Sequence, residues 1–178
     1  MDVTQSATPS AAIGGFQIDP ATEADVPLIL RLIKALSEYE KLAHEVTATE
    51  ERLHQTLFGP HPSAEVIIGY AGDEPAGFAL FFPNYSTFLG KPGIHLEDLF
   101  VVPEWRGHGF GAQLLAHLAA IAVERDCGRL EWNVLDWNEP AIGFYKNLGA
   151  TLMDEWSTFR VTGDALRQLA ASRAGLAS

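Results

Sequence analysis

The sequence predicts a mixed α/β (α+β) fold, in which one mostly antiparallel central sheet carries helices on both faces. Two apolar runs joined by Gly72-Asp73-Glu74 indicate a β-hairpin, and strands alternate with helices after it. The chain has 178 residues, 47% of them hydrophobic, which suits one globular core. We therefore expect a single domain over residues 16–178, preceded by a flexible tail over residues 1–15 that is rich in small and polar residues.

Hydrophobic spacing and capping residues predict each element. Thr22 suits an N-cap before acidic residues and a proline, and Gly149 suits the position after a helix end. The predicted elements are a strand over 16–19, a helix from Thr22 to about Leu42, a helix from Thr47 or Thr49 to Leu57, strands over 66–71 and 75–82, a loop over 84–93, a strand over 94–102, a helix over 109–125, a strand over 130–135, a helix over 139–147, a strand over 158–161 and a terminal helix around 166–169.

Charge and cysteine content limit the classes of function. Twelve Lys and Arg against 23 Asp and Glu give a formal net charge of -11, which disfavours nucleic acid and anionic membranes. The same charge suits a small cationic ligand, or solubility alone. The lone Cys127 excludes an internal disulfide, and six scattered histidines disfavour a structural zinc site. No secretory signal or bilayer-spanning run is recognisable, so we predict a cytoplasmic protein.

Three glycines mark the junction between the strand ending at Val102 and the helix after it, in the run Arg106-Gly107-His108-Gly109-Phe110-Gly111. Glycine tolerates positive φ, which lets successive N–H groups converge on one anion, and a helix N-terminus adds its own unpaired N–H groups. Arg106 adds a permanent charge. The spacing differs from the dinucleotide fingerprint, and the P-loop Gly-Lys-Ser/Thr is missing. The run therefore predicts a cradle for the phosphate of a ligand other than NAD or ATP.

The same region resembles motif A of the GNAT acetyltransferases. The pattern of that motif is Arg or Gln, two residues, Gly, one residue, and then Gly or Ala, and it is matched here by Arg106, Gly109 and Gly111. Further segments resemble motif B and the diamine (spermidine/spermine) acetyltransferase branch. The segments that carry the resemblance are residues 96–111, 137–141, 144–150, 29–34 and 39–40. The resemblance extends from about residue 18 to residue 169, and it implies the GNAT fold and an N-acetyltransferase activity.

Acetyl-CoA is the cosubstrate that this resemblance implies, without a metal and without a covalent enzyme intermediate. The pyrophosphate of CoA suits the cradle amides, and the pantetheine arm can pair with exposed strand backbone as an added strand. By the family's pattern, the start of motif B lines the thiol end. The expected cofactor-binding residues are Leu99, Phe100, Val101, Arg106, Gly107, His108, Gly109, Phe110, Gly111, Ala112, Asn138, Glu139, Pro140 and Ala141.

Two residues are expected to be catalytic. An acceptor amine with an ordinary pKa near ~10.4 is protonated at neutral pH and must lose a proton before it attacks. Glu97 matches the family's carboxylate that contacts the amine, through water, and Tyr145 matches the acid that protonates the leaving thiolate. A solvated strand edge is the alternative for Glu97, and packing is the alternative for Tyr145. Alternation places Asp98 on the opposite face from Glu97 unless a β-bulge intervenes, and the family has a bulge in this strand.

The resemblance implies a small cationic acceptor, either a polyamine or diamine, or a lysine-like amine such as thialysine. It also implies a homodimer. Carboxylates and aromatic side chains along a groove would hold such a substrate. The expected substrate-binding residues are Tyr39, Glu40, Glu97, Asp98, Glu131, Trp132, Asn133 and Glu155.

Two other functions remain open at this point. One is N-acetylation of a peptide or protein, and the other is a non-catalytic acyl-CoA sensor. The presence of both Glu97 and Tyr145 argues against a sensor, because a sensor needs neither a proton acceptor nor a proton donor. A nucleotide-dependent oxidoreductase is disfavoured by the glycine spacing.

Overall fold

The computed structural model describes residues 15–173, so nearly all of the predicted tail over residues 1–15 lies outside the described residues. The described part forms two compact units, one ending at Asn133 and the other beginning at Val134. The single domain expected over residues 16–178 stays a prediction. The elements are β1 (Phe16–Pro20), α1 (Val26–Tyr39), α2 (Glu50–Leu57), β2 (Glu65–Ala71), β3 (Glu74–Ser86), β4 (Lys91–Val101), α3 (Phe110–Glu124), β5 (Leu130–Trp132), α4 (Glu139–Asn147) and α5 (Gly163–Ser172).

Local hydrogen bonds explain where the first two helices begin and end. The backbone N–H and the hydroxyl of Thr22 both donate to the Asp25 carboxylate at 2.8 Å, just before α1. The Thr49 hydroxyl accepts from the Arg52 N–H at 3.2 Å and caps α2. The prediction that α1 reaches Leu42 is wrong, because Lys41 has a φ of 63°, which a right-handed helix does not accommodate.

The sheet has the strand order β1-β2-β3-β4-β5. The first four strands form antiparallel pairs, and β5 runs parallel to β4 after the α3 crossover. The predicted loop over 84–93 is wrong: β3 continues to Ser86 and pairs with Lys91 at the start of β4. These polar and proline-containing residues form strands because each lies opposite a partner strand, and strand preference depends strongly on that context.

Helices cover both faces of the sheet, which confirms the predicted fold class. On one face α1 and α2 pack against a buried cluster that includes Ile68, Phe78 and Phe100. On the other face α3 packs against β3 and β4, and the Arg125 guanidinium at its end lies 6.0 Å from the Phe81 ring. Phe78 and Phe81 thus face opposite layers of helices, as alternation along β3 requires.

A β-bulge in β4 changes which residues face α1 and α2. Leu96 lies opposite Phe81, but Asp98 lies opposite Leu80, so Glu97 is an additional residue in β4. Before the bulge Leu96 shares the α3 face with Phe81, and after it Phe100 shares the α1 and α2 face with Phe78. The bulge lets both Leu96 and Phe100 be buried on opposite faces of one strand.

The second unit contains α4 and α5. The predicted helix over 139–147 is confirmed, and Gly149 follows its end with a φ of 88°. The predicted strand over 158–161 is wrong, since these residues join no ladder among the described strands, and a strand forms only where a partner offers backbone hydrogen bonds. Similarly, β5 ends at Trp132 rather than at Leu135, because only three of its residues pair with β4. Among residues 15–173, no helix is long and apolar enough to cross a bilayer.

Candidate active site

The sheet opens at the bulge. Strand β5 pairs with β4 only from Ile94 to Leu96, and among the described residues no strand lies beside Leu99–Val101 on that side. Such an unpaired strand edge offers N–H and C=O groups to an extended ligand. One carbonyl of this edge, that of Val101, accepts a hydrogen bond from Arg106 Nε at 3.0 Å. Apart from this carbonyl, the edge that is expected to pair with a pantetheine arm has no partner strand among the described residues.

The glycine run forms the predicted turn into α3. Gly107 and Gly109 both have a φ of 80°, and no neighbouring atom lies within 4 Å of the position that a Cβ would take at either residue. Gly109 is the N-cap of α3 and provides no side chain to satisfy the first N–H groups of the helix. These N–H groups and the helix dipole form an open anion site from Gly107 to Ala112. Binding of the CoA pyrophosphate at this turn stays a prediction.

Aromatic rings pack together next to the glycine turn. Phe110, the first residue of α3, is buried and stacks on Phe16 of β1 with ring centroids 4.0 Å apart. Trp105 and His108 lie beside the same ring at 5.9 and 5.8 Å. The His108 Nδ1 lies 3.0 Å from the Arg106 carbonyl oxygen, so its imidazole turns back toward the loop. Phe110 and His108 therefore hold the backbone of the cradle in position.

Arg106 lies among aromatic rings. Its guanidinium carbon is 4.5 Å from the centroid of the Tyr39 ring at the end of α1, and 5.5 Å from that of Phe100. Together with the bond to the Val101 carbonyl, these contacts hold the side chain on the face of the sheet that α1 covers. The structure thus brings Tyr39, expected at the acceptor amine, together with Arg106, expected at the cofactor.

Three carboxylates, those of Glu40, Glu97 and Asp98, form an acidic cluster at the bulge. Burial and the charges of Glu97 and Glu40 raise the pKa of Asp98 from 3.8 to about 6. Burial also raises the pKa of Glu40, which follows the last residue of α1. The Glu97 carboxylate lies 3.7 Å from the Nε2 atom of His95, whose ring stacks on Phe82 at 5.0 Å. This arrangement concentrates negative charge where a cationic amine would relieve the repulsion.

The residues expected on β5 have other partners. Glu131 accepts a hydrogen bond from the Asn84 amide at 2.5 Å, and its second oxygen lies 3.2 Å from Arg129 Nε. Trp132 lies opposite Leu96 in the parallel pair, and Asn133 follows the end of the strand. Because an arginine balances the charge of Glu131, the less compensated carboxylates are those at the bulge. The role of these three residues in substrate binding stays a prediction.

The second unit holds the remaining expected residues. Asn138 is buried and caps α4, with its side-chain oxygen 3.4 Å from the Ala141 N–H, so residues 138–141 form a helix N-terminus. Tyr145 lies on α4, with its ring 5.2 Å from that of Phe144. Glu155 is exposed in a turn. The roles of Tyr145, Glu155 and residues 138–141 rest on their sequence motifs and stay predictions.

Sequence reasoning missed two side chains at the site. One is His95, which lies beside Glu97, and the other is Phe100, whose ring contacts Arg106 although only its backbone had been expected to act. The spacing of His95 and Glu97, two residues apart on a strand, was a signal for the first. No group of three His, Cys, Asp or Glu side chains suited to a metal ion is found within the described part of the chain.

The family model described as "Acetyltransferase (GNAT) family" matches residues 30–150, which span both units. A thialysine N-epsilon-acetyltransferase of Bos taurus is 40% identical to this chain over 164 residues, covering 86% of this chain and 96% of that protein. The L-ornithine N5-acetyltransferase NATA1 of Arabidopsis thaliana is 35% identical over 194 residues, covering 84% of this chain and 85% of that protein.

A solved structure also resembles the chain. It is that of an integron cassette protein from the mobile metagenome of V. cholerae, with a TM-score of 0.73 and 31% sequence identity. The match covers 87% of this chain and 97% of the other. An aminoglycoside acetyltransferase from an uncultured soil metagenomic sample has a TM-score of 0.71 at 18% identity, which indicates the same fold.

Proposed function

The chain belongs to the GNAT acetyltransferase family, in its diamine acetyltransferase-like branch, and is therefore an N-acetyltransferase; from this premise we propose that it moves an acetyl group from acetyl-CoA to a small cationic amine. The acceptor is a primary amine of a polyamine or diamine, or of a lysine-like molecule such as thialysine. The reaction is a direct attack within a ternary complex.

One observation carries the choice of acceptor: Glu40, Glu97 and Asp98 lie together at the bulge, where burial and, after it, the charges of the two glutamates raise the pKa of the aspartate. Grouped carboxylates repel one another, and an ammonium group among them relieves that repulsion. The net charge of -11 attracts cations over a longer range. A neutral or anionic acceptor would gain nothing from this arrangement.

We propose that acetyl-CoA binds at two places, the phosphate cradle formed by the glycine turn and the exposed edge of β4. The N–H groups from Gly107 to Ala112 suit the pyrophosphate, and the unpaired edge of Leu99–Val101 suits an extended pantetheine arm. The edge and two of the three carboxylates lie on consecutive residues of β4, since Glu97 and Asp98 directly precede Leu99. An acyl group at the end of such an arm would therefore approach the carboxylates.

The chemistry requires three proton transfers, two from the acceptor nitrogen and one to the leaving sulfur. Glu97 accepts a proton from the ammonium, through a water molecule, and leaves the nitrogen with a lone pair. That nitrogen forms a bond to the thioester carbon, and the tetrahedral intermediate collapses with loss of the carbon–sulfur bond. Tyr145 gives its proton to the departing thiolate and is restored by solvent. A second proton leaves the nitrogen for solvent as the amide forms, and Glu97 gives its proton up to solvent. The products are the acetylated amine, free CoA thiol and one proton released overall, so atoms and charge balance.

The names of the relatives narrow the panel of acceptors. The Bos taurus relative is named for thialysine and the Arabidopsis thaliana relative for L-ornithine, and both of these compounds are small amino acids with an amine at the end of the side chain. A further relative is a spermidine/spermine N(1)-acetyltransferase-like protein of Homo sapiens. Both chemical classes place a cationic amine at the end of a flexible chain, which suits a carboxylate cluster.

The test is release of CoA thiol from acetyl-CoA in the presence of spermidine, spermine, putrescine, lysine, ornithine, thialysine and a lysine peptide. We expect saturable release with at least one small amine and much slower release with the peptide. Release with the peptide alone would instead establish peptide acetylation. Tight acetyl-CoA binding without release on any acceptor would leave the sensor function as the better account.

A further inference from the structure

We propose that Tyr39 is a positioning residue for acetyl-CoA, although it lies on the acceptor side of the site. Its ring holds Arg106, and Arg106 holds the cofactor loop, which we define as residues 105–109. The inference rests on the proposed use of acetyl-CoA. According to this inference, Tyr39 at the end of α1 raises the affinity for acetyl-CoA, and it does so independently of any contact with the amine.

Three contacts from two elements fix the Arg106 side chain. The guanidinium lies over the Tyr39 ring of α1 at 4.5 Å and near the Phe100 ring of β4 at 5.5 Å, while Nε donates to the Val101 carbonyl at 3.0 Å. Phe100 is buried, whereas Tyr39, 38% exposed, and Arg106 both remain open to water. Cation–π attraction operates at exposed positions too, although more weakly than at desolvated ones.

The loop that follows Arg106 needs such a restraint. Gly107 and Gly109 both have a φ of 80°, and glycine has more conformations to lose than any other residue. A loop that is disordered before binding must be ordered by the ligand, which weakens binding. Because Arg106 is bonded directly to Gly107, fixing its side chain limits the freedom of the loop before acetyl-CoA arrives.

Tyr39 also connects this loop to the acidic cluster. The next residue in the chain is Glu40, whose charge raises the pKa of Asp98. Movement at the end of α1 would thus act on the acceptor carboxylates and on the cofactor loop together. Binding of the amine and of acetyl-CoA are then linked, and linkage of binding free energies is reciprocal.

The test measures the dissociation constant of acetyl-CoA by calorimetry without any amine, so that effects on the acceptor play no part. Tyr39→Leu removes the ring face, and we expect it to raise the Kd about 3- to 10-fold. Tyr39→Phe keeps the ring and should stay within about twofold of the natural protein. Tyr85→Leu is the matched control, because Tyr85 is 60% exposed on β3 and pairs with Pro92, at the opposite end of β4 from the loop.

A double-mutant cycle distinguishes the contact from a general loss of structure. Arg106→Lys keeps the charge but loses the planar group and the Nε donor. If the two residues act through each other, Tyr39→Leu has a much smaller effect in the Arg106→Lys background. Equal effects in both backgrounds, or a Kd within twofold for Tyr39→Leu alone, would overturn the inference.

Thermal unfolding without ligand checks that each variant folds, and Tyr39→Met replaces the leucine variant if that one does not. Failure of the natural protein to bind acetyl-CoA would overturn the proposed cosubstrate and this inference together. Binding without turnover on any amine would count against the proposed acceptor class and would leave the Tyr39 test intact.

Discussion

Glu97 and Asp98 occupy the space opposite one residue, Leu80 of the neighbouring strand, because the bulge inserts Glu97 into β4. Burial is the main cause of the raised pKa of Asp98, and the two carboxylates lie close enough for the charge of Glu97 to raise it further. Regular alternation would have placed them on opposite faces. The bulge thus forms the acidic cluster, and it also marks the point where β5 stops pairing with β4.

The raised pKa of Asp98 predicts a stability that falls as pH rises. Between its ordinary value of 3.8 and about 6, the folded protein keeps a proton on Asp98 that the unfolded chain has released. The free energy of unfolding therefore decreases with pH through this window, and the cost is fully present above it. Asp98→Asn should raise the free energy of unfolding near pH 8 by up to about 3 kcal/mol, with little change below about pH 4.

Denaturant titrations at several pH values measure this effect. Asp73→Asn, in the exposed turn between β2 and β3, is the matched control and should change the unfolding free energy little at any pH. A pH-independent gain for Asp98→Asn would mean that packing, and not ionisation, is responsible.

Glu97→Gln tests the proton acceptor. We expect kcat/KM to fall about 100-fold near neutral pH, with a smaller loss as pH rises toward the pKa of the amine, because free amine then becomes abundant without help from the enzyme. Steady-state kinetics across pH measure the profile. Glu124→Gln, at the other end of α3 from the cradle, is the control. A profile parallel to that of the natural protein would remove Glu97 from the mechanism.

Tyr145→Phe tests the proton donor. The substitution keeps the ring and removes only the hydroxyl, so we expect kcat to fall about 100-fold while the Kd for acetyl-CoA stays within about threefold. Turnover assays and calorimetry on the same preparation give the two values. If both quantities deteriorate equally, Tyr145 serves in binding or packing.

Gly107→Ala tests the phosphate cradle. Alanine disfavours a φ of 80° by about 1–2 kcal/mol, so the loop would leave the conformation that presents its N–H groups. We expect the Kd for acetyl-CoA to rise about tenfold or more. Gly90→Ala is the matched control, since Gly90 has a φ of 63° and open space around it in the turn between β3 and β4. It should lower stability to a similar extent but leave acetyl-CoA binding unchanged.

Patterns within a few residues predicted much of the fold. The helix over 139–147 has a capping Asn138 at its start and Gly149 after its end, and both signals lie in the local sequence. The glycine turn before Phe110 was equally readable, because positive φ is a property of the residue itself. Two predictions that depended on where a partner strand lies failed, namely the supposed loop over 84–93 and the supposed strand over 158–161.

The sequence by itself thus determined the order of the helices, the position of the glycine turn before α3 and the family motifs, since these depend on local backbone preference and spacing. Only the tertiary structure decided that Glu97 and Asp98 lie opposite Leu80, and that Tyr39 lies over Arg106. These relationships join segments that are far apart in the chain. Their geometry depends on strand register and helix packing, which become definite only when the whole sheet assembles.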